Sequence, residues 1–258
     1  MPVELHHDIS GESHLPPLIL SSALGATGDM WDFQLSVFNS MFHTVSYDHR
    51  GHGRSPEPPG PYSIADLGED VLAMMDQLDI QRTHFCGLSL GGMVGIWLGI
   101  HAPERISSLT LCCTSAKPGN PKTWNDRIDK IAADGTVETV ADAIVGRWVT
   151  PAFAEAHEEE VAGLRSMIAA SHVQGYSDCC RVVRDLDLVS ELGQITAPTL
   201  VISGAQDEAL PPEHQKLIAD GIAGARHEMI DPGAHLPNIE QEAVFSDLVS
   251  AHIQEHST

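Results

Sequence analysis

Short apolar or β-branched runs recur along the chain, and between most of them lies a stretch with helical spacing. The runs at 18–20, 44–47, 84–86, 109–112, 199–202 and 227–230 read as strands, and several are continuously apolar or β-branched, as expected of a sheet covered on both faces. Ile64, Leu67, Val71, Met74, Met75 and Leu78 return every three or four residues and predict a helix over 64–78. Ser63 and Asp66 stand where a capping box would open it. A further helix is read from Met93 to His101, and Val244, Phe245, Leu248, Val249 and Ile253 set out a last one near the C-terminus. Strands alternating with helices predict an α/β chain with a mostly parallel, doubly wound sheet.

One stretch breaks the alternation. From 117 to 192 no strand pattern is found, and helices are predicted over 124–133, 136–148, 151–170 and 174–186. Such an insertion reads as a cap lying over the strand ends. The expected organisation is a core built from residues 1–116 and 193–258, interrupted by a helical cap at 117–192. Glu158, Glu159 and Glu160 read as a solvated helix face. No internal repeat or low-complexity linker is visible.

Chemistry enters at Gly87-Leu88-Ser89-Leu90-Gly91. This is a G-x-S-x-G pattern set between a predicted strand and a predicted helix, the context in which a nucleophile elbow raises a serine hydroxyl above the sheet edge. Serine needs a base to attack at neutral pH. In this arrangement acid and histidine follow the serine in that chain order. Asp207 follows the run at 199–202, and His235 follows the run at 227–230. Asp231 lies too close to His235 in sequence to act from a separate loop. Two backbone N–H groups are then required for the developing oxyanion. Leu90 supplies one and Leu24, in the loop after the first run, the other. The polar loop Asp48-His49-Arg50-Gly51-His52-Gly53-Arg54-Ser55 reads as a glycine-rich turn braced by Asp48 and Arg50, forming floor beside the site. Most of the other histidines are expected to face solvent.

Composition narrows the picture. Lys plus Arg number 14 against 36 Asp plus Glu, for a formal net charge of −22. Such a chain repels a phosphate backbone, so no nucleic-acid partner is expected. An anionic substrate would therefore need a local cation. The five cysteines include two adjacent pairs, Cys112-Cys113 and Cys179-Cys180. They fit neither a secreted disulfide framework nor a zinc spacing, and Cys86 and Cys112 read as core. The N-terminus shows no basic segment followed by an apolar one, and the longest apolar run, 92–100, is too short for a bilayer. A soluble cytoplasmic protein with no membrane partner is expected; the oligomeric state is not encoded in any pattern found.

These residues resemble the α/β-hydrolase fold, and more narrowly the 3-oxoadipate enol-lactonases of bacterial aromatic catabolism. The resemblance runs over nearly the whole chain. It includes Leu24-Gly25 with Met30-Trp31, the loop from Tyr47 to Ser55, the elbow, His235-Leu236 and Asn238-Ile239-Glu240. In the cap it includes Trp124, Arg127, Arg147-Trp148, Thr150-Pro151 and Gly175-Tyr176. Ser22 and His49 depart from the family's usual Asn and Thr, and the segment before His235 is one residue longer. The resemblance implies a Ser89-His235-Asp207 triad opening a small carboxylated enol-lactone with no metal or organic cofactor. Trp124, Arg127, Arg147 and Trp148 are the candidate substrate-binding set, the arginines for the carboxylate and the tryptophans for the ring. An esterase, a carbon–carbon bond hydrolase or a cofactor-free haloperoxidase-like enzyme of the same fold would share the triad. A non-enzymatic binding protein of this fold would have no need of it.

Overall fold

The computed structural model describes residues 1–257. Seven strands form one sheet in the order β1-β3-β2-β4-β5-β6-β7. They are β1 (His7–Ser10), β2 (Pro17–Ser21), β3 (His43–Tyr47), β4 (Thr83–Leu88), β5 (Ile106–Cys112), β6 (Thr199–Gly204) and β7 (Arg226–Ile230). All pair in parallel except β1, which runs antiparallel to β3. β4 is buried at every position, whereas β7, at the edge, is mostly open to solvent. Leu18, Ile19, Leu20, Phe85, Leu109, Leu111 and Val201 at the sheet centre are at most 1 % exposed. Each such side chain contributes roughly 1.5–3 kcal/mol through burial.

Helices α1 (Asp32–Phe38), α2 (Ile64–Gln77) and α3 (Leu90–His101) connect the first five strands. Five more fill the connection from β5 to β6: α4 (Pro121–Asp134), α5 (Glu138–Trp148), α6 (Pro151–Ala156), α7 (Glu158–Ala169) and α8 (Val173–Asp185). After β6 come α9 (Pro212–Gly221), α10 (Pro237–Glu240) and α11 (Glu242–Glu255). The doubly wound sheet and the helical cap are as expected. The capping box of α2 is present, with the Asp66 amide on Ser63 Oγ at 3.2 Å and Asp66 Oδ2 accepting from the Ser63 amide at 2.9 Å. Among the described residues no helix is long and apolar enough to cross a membrane. All five cysteines are free and buried.

Several local expectations are corrected. The helix expected over 151–170 is two helices parted at His157 (φ −132°, ψ 55°). The break puts Glu158, Glu159 and Glu160 in the first turn of α7, where the free N–H groups and helix dipole favour negative charge. α3 begins at Leu90, not Met93. Gly91 and Gly92 lie inside it because a Cβ at Gly91 would strike the Ser21 carbonyl and one at Gly92 would strike Thr114. Val244 is 49 % exposed, so the buried stripe of α11 is Phe245, Val249 and Ile253. Four of the other histidines depart from the expected solvent-facing placement: His49, His52, His84 and His252 are buried, each with a hydrogen bond at a ring nitrogen. β1, α1 and α9 were not read from the sequence. β1 is a short, half-exposed edge strand, so no continuous apolar run marks it.

Strand order reverses about β2, since β3 lies on one side of it and β4 on the other. A crevice opens at such a switch point, beyond the carboxyl ends of the strands. The loops following β2, β3, β4, β6 and β7 all leave at that end, and the helices between β5 and β6 supply residues facing it.

Candidate active site

Ser89 sits between β4 and α3 at φ 56° and ψ −113°, outside the regions open to L-residues without strain. The neighbouring structure fixes it there. Its N–H donates to the Cys112 carbonyl at 2.9 Å, and its carbonyl accepts from Thr114 Oγ1 at 2.6 Å and from the Met93 amide at 3.1 Å. A Cβ on Gly87 would collide with the Gly91 carbonyl, so glycine is required for the turn to close.

Asp207, in the loop after β6, and His235, after β7, are each 3 % exposed. His235 Nδ1–H donates to Asp207 Oδ2 at 2.8 Å, while Asp207 Oδ1 accepts from the amides of Ala209 and Leu210 at 2.8 and 2.9 Å. The carboxylate is thus held from two sides, and the imidazole tautomer it selects leaves Nε2 free to accept. Asp231 is exposed and takes no part. Ser89 and His235 line one cavity of about 310 Å³. No hydrogen bond joins them among the described residues; such bonds are often long before substrate binds.

The amides beside the two candidate oxyanion donors are already engaged. Around Leu24, the Ala23 amide is taken by Met30 Sδ at 3.3 Å and the Gly25 amide by His52 Nε2 at 3.0 Å. Beyond Leu90, the Gly91 amide is taken by the Ser22 carbonyl at 3.0 Å. The Leu24 amide has no acceptor among the described residues. Leu90, as first residue of α3, has no intrahelical one. Both N–H groups are therefore available to a ligand.

The loop after β3 does more than form a floor. Asp48 Oδ1 accepts from the Gly28 amide at 2.8 Å, His49 Nε2–H donates to the Ser22 carbonyl at 3.0 Å, and His52 Nε2 accepts from Gly25. Three side chains thus pin residues 22, 25 and 28 on either side of Leu24. His52 Nδ1–H donates to the Arg50 carbonyl at 3.3 Å, so His52 must be neutral to accept at Nε2. Burial pushes His52 down to about 4 and His49 to about 3. Arg50 is anchored behind the loop by a bidentate pair with buried Asp70 at 2.6 and 2.7 Å. Sequence reading missed the two histidines, although a polar loop following a strand on the switch-point side was the available signal.

Trp124, Arg127, Arg147 and Trp148 line the same cavity as Ser89, His235 and Leu24. Arg127 lies over the Trp124 ring, 4.6 Å from its centroid, and donates to the Tyr176 hydroxyl at 3.3 Å. Arg147 reaches only its own helix, at the Ala143 carbonyl, 3.2 Å away. Neither arginine has a carboxylate within 4.0 Å among the described residues. Every lysine does, and so does every other arginine except Arg82, which is spent on the Ile106 carbonyl. Burial and then the Arg127 charge hold Arg147 below the usual arginine value. This pair would be eased by an anion. The one cluster of metal-capable side chains among the described residues, His252, Glu255 and His256, is distant in the chain and lines no part of this cavity. Its members already bond to the Leu109 carbonyl, Arg226 and the His252 carbonyl.

The elbow, the Asp207–His235 pair, the two open amides and the sheet order define a hydrolase architecture, and the chain belongs to the α/β-hydrolase fold family, whose model matches residues 16–242. Among its relatives is 3-oxoadipate enol-lactonase 2 of Acinetobacter baylyi, 36 % identical over 96 % of this chain and 92 % of that one. The crystal structure of the enol-lactonase from Burkholderia xenovorans LB400 is 38 % identical, with a TM-score of 0.94 over 97 % of this chain and 96 % of that one. A putative carbamate hydrolase RutD of Pseudomonas syringae pv. syringae is 31 % identical over 92 % of this chain and 93 % of that one. Fold, family and relatives together define a hydrolase.

Proposed function

We propose that the chain opens a small carboxylated enol-lactone, 3-oxoadipate enol-lactone, by acyl transfer to water. The observation that carries this reading is the position of Arg127 and Arg147, cations without a carboxylate partner, on the cavity that also holds Ser89 and His235. In a chain of net charge −22, leaving two partly buried guanidiniums unpaired is costly unless the ligand brings the anion. The relatives named as enol-lactonases support the same substrate class.

In this mechanism Ser89 Oγ attacks the lactone carbonyl while His235 Nε2 takes its proton, and Asp207 stabilises the imidazolium. The Leu24 and Leu90 amides receive the oxyanion. Collapse breaks the ring C–O bond, and His235 returns the proton to the departing enol oxygen. The enol tautomerises to a ketone, which makes reversal unfavourable. Water, deprotonated by His235, then attacks the acyl-Ser89 ester; the acyl–Oγ bond breaks, His235 returns the proton to Ser89 Oγ, and the acid is freed. Arg127 and Arg147 hold the substrate carboxylate, and Trp124 and Trp148 pack against the ring. Acyl transfer by this route uses no cofactor. The RutD relative supports a second reading, a carbamate hydrolysed through the same residues.

The test is ultraviolet loss of the enol-lactone with purified protein beside Ser89→Ala, with a neutral aryl ester and a small carbamate as further substrates. Replacing Arg127 or Arg147 by Ala removes charge-assisted bonds worth about 1.5–3 kcal/mol. KM for the anionic lactone should rise by about 10- to 100-fold, and KM for the neutral ester should stay near its starting value. Equal changes for both substrates would sink the assignment of the arginines, and turnover of the carbamate alone would favour the second reading.

A further inference from the structure

The cap and the histidine loop are far apart in sequence, yet one side chain joins them. Glu240, at the end of α10, accepts from the Ala234 amide through Oε1 at 2.6 Å and from the Thr150 amide through Oε2 at 2.8 Å. Ala234 adjoins His235. Thr150 stands directly after the strand-like Val149 that leaves α5, three residues beyond Arg147. A second link, from the Leu236 amide to the Trp148 carbonyl at 2.8 Å, runs alongside. Glu240 has no cationic partner among the described residues, so both carboxylate oxygens serve these two backbone donors. Bonds from backbone amides to a charged acceptor are stronger than neutral ones, and these two connect segments that no regular secondary structure joins.

The geometry points to Glu240 as a positioning residue: its carboxylate fixes the register between the arginine-bearing arm of the cap and the loop that carries His235. The inference rests on the proposed reading of Arg147 as a ligand for the substrate carboxylate. When the lactone carboxylate engages Arg147, its carbonyl must fall within reach of Ser89 and His235. The distance between those two ends is set by the segment Arg147–Thr150, by Glu240 and by Ala234. A neutral ester that makes no use of Arg147 depends on the His235 side of this strut alone.

Two variants interrupt the strut from opposite ends. Glu240→Gln keeps the shape but turns an NH2 group towards an amide N–H. Thr150→Pro deletes only the cap-side donor and the hydroxyl that caps α6. Thr150 has φ −66° and the preceding Val149 is extended, so proline fits the backbone. Thr150→Val, which also lacks the hydroxyl but keeps the N–H, is its reference. Loss of one bond to a charged acceptor should raise KM for the anionic lactone about tenfold in Glu240→Gln. It should likewise place Thr150→Pro well above Thr150→Val. For a neutral aryl ester, KM should stay within about twofold in all three while kcat falls in Glu240→Gln. Arg147→Ala is measured in parallel. If Arg147→Ala raises KM for the anion and the strut variants do not, or if they raise it equally for both substrates, the positioning role is overturned. If Arg147→Ala leaves that KM unchanged, the carboxylate reading fails and the positioning role fails with it. Should Glu240→Gln not fold, the Thr150→Pro and Thr150→Val comparison decides alone.

Discussion

Replacing Ser89 by Gly should make the protein more stable than replacing it by Ala. Ser89 is held at φ 56° and ψ −113°, a conformation that costs an L-residue roughly 1–3 kcal/mol and glycine almost nothing. Glycine brings an opposing cost of roughly 0.5–1 kcal/mol, because its unfolded chain is freer, and forgoes the small burial of one methyl. The Ser89 hydroxyl makes no hydrogen bond among the described residues, and every clamp on this turn, from Cys112, Thr114 and Met93, is made to the Ser89 backbone. Those clamps survive in both variants. The balance favours Ser89→Gly over Ser89→Ala by about 1 kcal/mol, equivalent to roughly 2–4 °C in a chain of this size. Both variants keep the cavity and its arginines, so the melts are run without added ligand. Calorimetric melts at one scan rate and one pH measure it, and a Ser89→Gly protein that melts at or below Ser89→Ala would refute the strain argument.

Two further outcomes follow from the buried histidines. His52→Leu removes the acceptor of the Gly25 amide and should lower kcat about tenfold or more with KM within about twofold, because the Leu24 donor acts only on the oxyanion; His52→Gln, which restores an acceptor, should recover part of the loss, and a change confined to KM would contradict this. Stability should fall as acid is added between pH 6.5 and 4, and hold steady above pH 6.5. The reason is that His49 and His52, pushed by burial from 6.5 to about 3 and about 4, stay unprotonated in the fold while the unfolded chain binds their protons. His84 and His252, both pushed by burial to about 4, act in the same direction. Urea midpoints at pH 7.5, 6 and 5 test this, and a midpoint unchanged between pH 6 and 5 would count against it.

What could be read from the sequence divides along a physical line. The central strands and the helical insertion were legible because burial on both faces of a parallel sheet leaves continuous apolar runs. Ser89, Asp207 and His235 were legible because each follows a strand and the chain order is constrained. The helix break at His157 was not, since neither glycine nor proline marks it; a run of acids preferring a helix start takes that part. β1 escaped because it is short, half-exposed and carries no continuous apolar run. Glu240 and His52 lie in segments that carry the resemblance, but the amides of Thr150 and Gly25 that they accept from are remote in sequence. Nothing in a side-chain pattern announces an acceptor for the amide of Gly25 or Thr150.

The arginines show the same limit from the other side. Sequence alone could count 14 cations against 36 acids and ask for a local positive site, but it could not say which cations were already committed. That is a question of pairing, and pairing is three-dimensional. Lys122, Lys130 and Lys216 find acids one helical turn away, a spacing visible in the sequence. Arg50, Arg105 and Arg226 find theirs across the fold. Arg127 and Arg147 remain unpaired, although acids outnumber bases by more than two to one. With so many carboxylates available, two unpaired guanidiniums on one cavity wall are the observation on which the proposed anionic substrate rests. Arg127 lies against the Trp124 ring and the Tyr176 hydroxyl, contacts that hold the guanidinium on the cavity wall without neutralising it.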